Sequence, residues 1–231
     1  IGMAVFNLFY IIQFTSKYSS FIQYFIIPQI FKLLKENLDF PKYSLPASIL
    51  NVLSSQSPVI ILKLLYGDSI AGIFALVNRI MGAPSLLISN ATAEVYREKA
   101  SKLYNITGNC EDLFLKTFKG LFFIGIIPFI IVIAFGPNLF SMIFNSEWIE
   151  SGYFARYLAI FFFLRFCVSP LSFTLIIANR QNYNFSWQLF LFLNTTLSMI
   201  CGYLNDSYII SLLGFSLVYS VMYIFYFIEI K

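Results

Sequence analysis

The sequence contains no histidine. That absence excludes Ser-His-Asp and Cys-His nucleophile chemistry and the common zinc proteases, which all need an imidazole. Cysteine is scarce. Cys110, Cys167 and Cys201 are scattered with no CxxC spacing, so neither a metal site nor a redox pair is supported. Buried structural thiols are the expectation. Charge is thin too, at 11% of residues, against about 25% in an average soluble domain. No Walker loop, Gly-rich dinucleotide loop or HExxH is present, and no cofactor is expected. No basic leader precedes the apolar opening at Ile1, so no signal peptide is visible. The opening reads as that of a fragment whose upstream portion is missing.

What is abundant is apolar surface, at 59% of the chain. A hydrocarbon core of about 30 Å takes roughly 20 apolar residues in a helix. Six runs of about that length follow one another, near 44–65, 70–92, 120–136, 154–178, 185–203 and 208–228. Turn residues separate them, among them Gly67-Asp68-Ser69, Gly136-Pro137-Asn138 and Asn205-Asp206-Ser207. A charged segment from Glu94 to Lys119 turns at Thr107-Gly108-Asn109, and 138–152 reads as an interfacial loop. The chain is an all-α integral membrane protein by this pattern. Residues 1–15 read as the end of a further spanning helix. Residues 18–39 read as an amphipathic interfacial helix interrupted at Pro28, with a short span as the competitor. The domain division is thus 1–15, a linker at 16–42, and a six-helix lobe at 43–231.

Loop cations set the orientation. Those in 17–42 and 97–119, with Arg180 and Lys231, fall on one side; only Lys63 and Arg156 fall on the other. The cation-rich side is expected to be cytoplasmic. A net charge of +4 is explained by these loops, and no nucleic-acid partner is expected.

Two spans carry an arginine near their midpoint, Arg79 and Arg165. A cation at that depth costs about 2.5–3.5 kcal/mol even on the lenient insertion scale. It is kept where it meets a wet cavity, a partner or an anion. In the first span Ser48, Asn51, Ser54, Ser55 and Pro58 share a narrow arc. That stripe suits a cavity wall or a helix interface. Asn78 adjoins Arg79, which shares its face with Gly82, Ala83 and Asn90; Pro84 follows. In the fourth span Arg165, Ser169 and Ser172 align beside Pro170. No carboxylate lies at mid-depth, so a proton relay built on Asp or Glu is unsupported. The candidate substrate-binding set is Arg79, Arg165, Asn51, Ser55, Asn78 and Ser169.

The stretch Phe40-Pro41-Lys42-Tyr43-Ser44-Leu45-Pro46-Ala47 is specific, with Leu50-Asn51 and Ser54-Ser55-Gln56-Ser57-Pro58 after it. So are Leu65-Tyr66-Gly67, Ala71-Gly72-Ile73-Phe74-Ala75-Leu76 and Arg79-Ile80-Met81-Gly82-Ala83-Pro84, and the later turn Ala178-Asn179-Arg180-Gln181. Over roughly 40–203 this order resembles the second half of bacterial polysaccharide-biosynthesis membrane proteins. These are lipid-linked oligosaccharide flippases of the multidrug/oligosaccharidyl-lipid/polysaccharide exporter superfamily. The resemblance implies a twelve-helix transporter, with two six-helix lobes around a cavity and alternating access without ATP hydrolysis. It makes 1–15 the end of helix six and leaves the N-terminal lobe as a missing partner. It also implies cationic cavity residues, which Arg79 matches in type and Arg165 less closely.

The expected function is a flippase, not an enzyme. It moves undecaprenyl-diphosphate-linked oligosaccharide across the cytoplasmic membrane for surface polysaccharide assembly. Its expected partners are that lipid-linked oligosaccharide, membrane lipid and a polysaccharide polymerase. A membrane-embedded polymerase or ligase is one alternative, though the outer loops are short and lack clustered catalytic residues. A multidrug or small-cation exporter of the same superfamily is the other, and would need acidic cavity residues.

Overall fold

The computed structural model describes Lys35, Leu38 and residues 40–230. Apart from Lys35 and Leu38, the helix end expected over 1–15 and the interfacial helix over 18–39 lie outside these residues. By internal contacts the chain divides into Ile1–Lys42 and Tyr43–Lys231.

The described residues are helical, with no strand among them. Helix α1 spans Leu45–Tyr66, α2 Asp68–Thr107, α3 Glu111–Phe144 and α4 Ile149–Val168. A short α5 spans Thr174–Ile177, followed by α6 at Gln181–Leu204 and α7 at Tyr208–Ile230. With α4 and α5 taken as one interrupted span, six segments are long and apolar enough to cross a membrane.

The helix ends follow from local chemistry. Gly67 (φ 88°) and Gly108 (φ 70°) close α1 and α2 in the left-handed region, which costs glycine little. The Gly108 N–H donates to the Tyr104 carbonyl at 2.8 Å. Asn109 precedes the α3 cap at Cys110, and its Oδ1 accepts from the Glu111 N–H at 2.8 Å.

Three expectations are corrected. The charged stretch after the second span is not a separate segment but the continuation of α2. At 40 residues, this helix is about 60 Å long, twice the hydrocarbon thickness of about 30 Å. The rest of that stretch opens α3. Next, Gly136-Pro137-Asn138 does not end its helix, and 138–152 is not a loop. Helix α3 runs on to Phe144, and one 3-10 turn at Ser146–Trp148 leads into α4. Third, the fourth span is interrupted by a 3-10 turn at Ser169–Leu171. Pro170 lacks the N–H that would continue the ladder there.

Helix α4 is the hub. Half of its apolar stretch is buried inside the bundle, against 17% for α3. It packs on α2, α3 and α7, while α1 packs on α2 and α6, and α6 on α7. Phe154, Leu158, Phe161, Phe162 and Phe166 of α4 are all buried. A helix apolar all round belongs at such a centre. The outer faces of α3, α6 and α7 expose Phe123, Ile127, Phe190, Leu193 and Phe225, as lipid contact requires.

Small residues allow the closest approaches. A Cβ on Gly136 would stand 2.7 Å from the Gly152 carbonyl oxygen. A Cβ on Gly152 would run into the Pro137 Cα, and one on Gly202 into Ser211.

Polar pins join the helices. Tyr96 Oη and Thr174 Oγ1 lie 2.6 Å apart, tying α2 to α5. Tyr66 Oη meets Ser211 Oγ at 2.7 Å, tying α1 to α7. The Trp187 Nε1–H donates to the Met222 carbonyl at 3.0 Å, tying α6 to α7.

Candidate functional site

The polar residues of α2 gather on one side. Asn78, Gly82, Ser85 and Ser89 are spaced four, three and four residues apart, which keeps them within about 60° of arc. They face Ser55 and Gln56 of α1 across a cavity of about 390 Å³. Helix α4 closes it with Phe162, Arg165 and Phe166, and the interrupting 3-10 turn adds Ser169.

The hydroxyls here are partly committed. Ser55 Oγ donates to the Val52 carbonyl at 2.9 Å, and Ser85 Oγ to the Met81 carbonyl at 2.7 Å. Their protons are used within the helix, so the oxygens remain as acceptors. Donors come from the amides of Asn78 and Gln56 and from Arg165.

Arg165 is half-buried, and its guanidinium carbon lies 5.9 Å from the centre of the Phe161 ring. That ring packs on Tyr219 at 4.5 Å and on Phe215 at 5.3 Å. An aromatic backing favours a cation without neutralising it. The ion pairs among the described residues are Lys63–Asp68, Lys102–Glu98 and Arg180–Glu229; none involves Arg165. No aspartate or glutamate lines the cavity. The site is therefore a polar, cation-bearing cleft between helices, with the planar donor fork suited to phosphate or carboxylate.

Of the candidate residues, the cavity brings together Ser55, Asn78, Arg165 and Ser169. Asn51 is exposed, one turn before Ser55, and does not line it. Arg79 is also exposed and outside the lining, beside Asn78. Among the described residues no carboxylate pairs with it. Arg156 donates to the Ala134 carbonyl at 3.0 Å, Arg97 lies 4.6 Å from the Phe173 ring centre, and Arg180 pairs with Glu229.

Gln56, Ser85 and Ser89 were not foreseen. For Ser85 and Ser89 the signal was the four-three-four spacing from Asn78, which continues the polar face of α2 past Pro84; Gln56 adjoins Ser55 on α1. Phe162 and Phe166 carried no such signal, because an apolar helix does not disclose which of its rings borders a cavity.

Cation-asymmetric loops, six apolar spans and a polar cleft between helices define a multi-pass helical membrane protein. The chain belongs to the polysaccharide biosynthesis proteins, whose family model matches residues 2–152. No curated protein and no solved structure matches it. Its role accordingly lies in polysaccharide synthesis or export. The match begins further upstream than the resemblance over 40–203 and stops near the start of α4. It includes the cavity residues of α1 and α2, whereas Arg165 and Ser169 lie beyond it.

Proposed function

We propose that this chain is a lobe of a flippase that carries an undecaprenyl-diphosphate-linked oligosaccharide from the cytoplasmic to the outer leaflet of the cytoplasmic membrane. The observation that carries this reading is Arg165, a half-buried cation without a carboxylate partner among the described residues, set in a polar cleft of a polysaccharide biosynthesis protein. A diphosphate offers the charge-assisted hydrogen bonds such a group lacks. The serines, Asn78 and Gln56 suit sugar hydroxyls, and the lipid tail stays in the bilayer. A lining that is cationic and not acidic favours an anionic substrate over an exported cation.

On this reading the chain transports and does not catalyse. Transport follows from rocking this lobe against an N-terminal one, and the product goes to a polysaccharide polymerase on the outer side. Arg79, beside the cavity wall, supplies charge at the cleft's approach.

The test is accumulation of lipid-linked oligosaccharide on the cytoplasmic face of cells expressing full-length variants. A charge-assisted hydrogen bond contributes about 1.5–3 kcal/mol. Arg165→Ala should therefore slow flipping by roughly 10–100-fold. Arg165→Lys should recover part of it, keeping charge but losing the planar fork. Arg79→Ala should also reduce flipping while protein level stays near normal. Wild-type flipping by Arg165→Ala would remove the cleft from the mechanism.

A further inference from the structure

We infer that a second, separate groove on the cation-rich side holds the phosphate headgroup of an anionic membrane phospholipid. Helices α2 and α3 are consecutive, yet they touch sparingly. Between them lies a groove of about 490 Å³. Its lining includes Val95 and Leu113, the hydroxyl residues Thr92 and Thr117, and the cations Lys99 and Lys116. No acidic residue lines it.

The charge there is available. Lys102, one turn beyond Lys99, is held by Glu98 at 2.6 Å. Neither Lys99 nor Lys116 is in an ion pair among the described residues, and both are exposed. One lysine comes from each wall of the groove, Lys99 from α2 and Lys116 from α3. Thr117 Oγ1 donates to the Leu113 carbonyl at 2.8 Å, so its oxygen remains as an acceptor for a headgroup hydroxyl.

Depth selects a lipid as the occupant. The apolar run of α2 ends near 92, and Lys99 lies about 10 Å further along the helix. Lys116 precedes the apolar run of α3 by about 6 Å. Their flexible stems reach back toward the membrane surface. Both ammonium groups thus stand at headgroup level. On the membrane side of Lys99 the exposed Val95 leads into the apolar run of α2, where an acyl chain lies. Basic pockets between helices at this level recognise anionic headgroups. This inference is independent of the flippase reading, because neither lysine lines the Arg165 cavity.

The test is native mass spectrometry of the purified full chain, titrated with dioleoyl-phosphatidylglycerol or dioleoyl-phosphatidylcholine. Phosphatidylglycerol should bind more tightly. Each lysine near an anionic headgroup is worth about fivefold in affinity. K99Q/K116Q should therefore weaken phosphatidylglycerol binding by roughly 25-fold and leave phosphatidylcholine unchanged. K99R/K116R should retain it, and K102Q should stay within about twofold because that lysine is already paired. If the double glutamine variant does not fold, K99Q and K116Q singly should each lose about fivefold. Unaltered binding by the glutamine variants, equal affinity for phosphatidylcholine, or an equal loss in K102Q would overturn the assignment. Displacement of the lipid by millimolar inorganic phosphate would overturn it in favour of a free-anion site.

Discussion

Arg165 owes its place to its neighbours on α4 as much as to its own charge. Phe161 backs it, Phe162 and Phe166 flank it along the cavity wall, and Ser169 follows one turn later. Tyr96 shows the opposite use of a polar group, as a buried pin. Thr174 Oγ1 donates to the Leu171 carbonyl at 2.9 Å, so the Tyr96 hydroxyl is the donor in their shared bond. Tyr96→Phe removes that donor and leaves the Thr174 proton satisfied. It should lower stability by about 1 kcal/mol, read as a modest fall in thermal midpoint in detergent. An unchanged midpoint would mean that the bond adds nothing net. Cys110, in the turn between α2 and α3, has its thiol pKa pushed up by burial, an effect its contact with Tyr96 opposes. The raised pKa keeps it neutral at pH 7, where the thiolate is the reactive form. Maleimide labelling of Cys110 should be slow at neutral pH and quicken only above the ordinary thiol range. Fast labelling at pH 7 would contradict its burial.

At the scale of the helix, the α3–α4 crossing is the tightest constraint. Gly136 and Gly152 bring the two backbones together without side chains between them. Gly152→Ala drives a methyl into the Pro137 backbone, and backbone cannot rotate aside. The expected cost is about 2–3 kcal/mol, seen as loss of monodisperse protein or a sharply lower thermal midpoint. Gly72, with nothing within 4 Å of its would-be Cβ, is the control. Gly72→Ala should be neutral or slightly stabilising, since alanine suits a helix interior better. Equal behaviour of the two variants would refute the close crossing. The same pair explains why Gly136-Pro137-Asn138 misleads as a stop signal. In water that tripeptide ends helices. In a membrane helix, neighbouring helices resatisfy the backbone that proline frees, and glycine serves packing.

For the whole molecule, sidedness and energy source are the tests. The turn at Asn109 lies on the side of the unpaired lysines, and Trp148 lies on the side of Lys63 and Arg156. In a cysteine-free background, Asn109→Cys should react with an impermeant maleimide only from the cytoplasm, and Trp148→Cys only from outside. The reverse pattern would invert the topology and with it the direction of the proposed transport. The sequence carries no phosphate-cradling loop, so flipping by the full-length protein should persist without ATP while membrane gradients are held. Strict dependence on hydrolysable ATP in sealed vesicles would rule out transport by alternating access alone.

The sequence by itself determined the class, the number of spans and the limits of the first and last of them. Each followed from a one-dimensional quantity: apolar length against bilayer thickness, and glycine at left-handed turns. It also named Ser55, Asn78, Arg165 and Ser169, because polar groups at mid-depth in an apolar helix stand out by their cost. Only the tertiary structure decided which of the polar residues share one space. Arg79 and Arg165 are alike in a reading by depth, yet one lies on an exposed face of α2 and the other between three helices. That difference depends on the rotation of each helix about its axis. Rotation is set by how rings such as Phe161 and Phe162 and glycines such as Gly152 interlock with neighbouring helices, and hydropathy along a chain does not contain it.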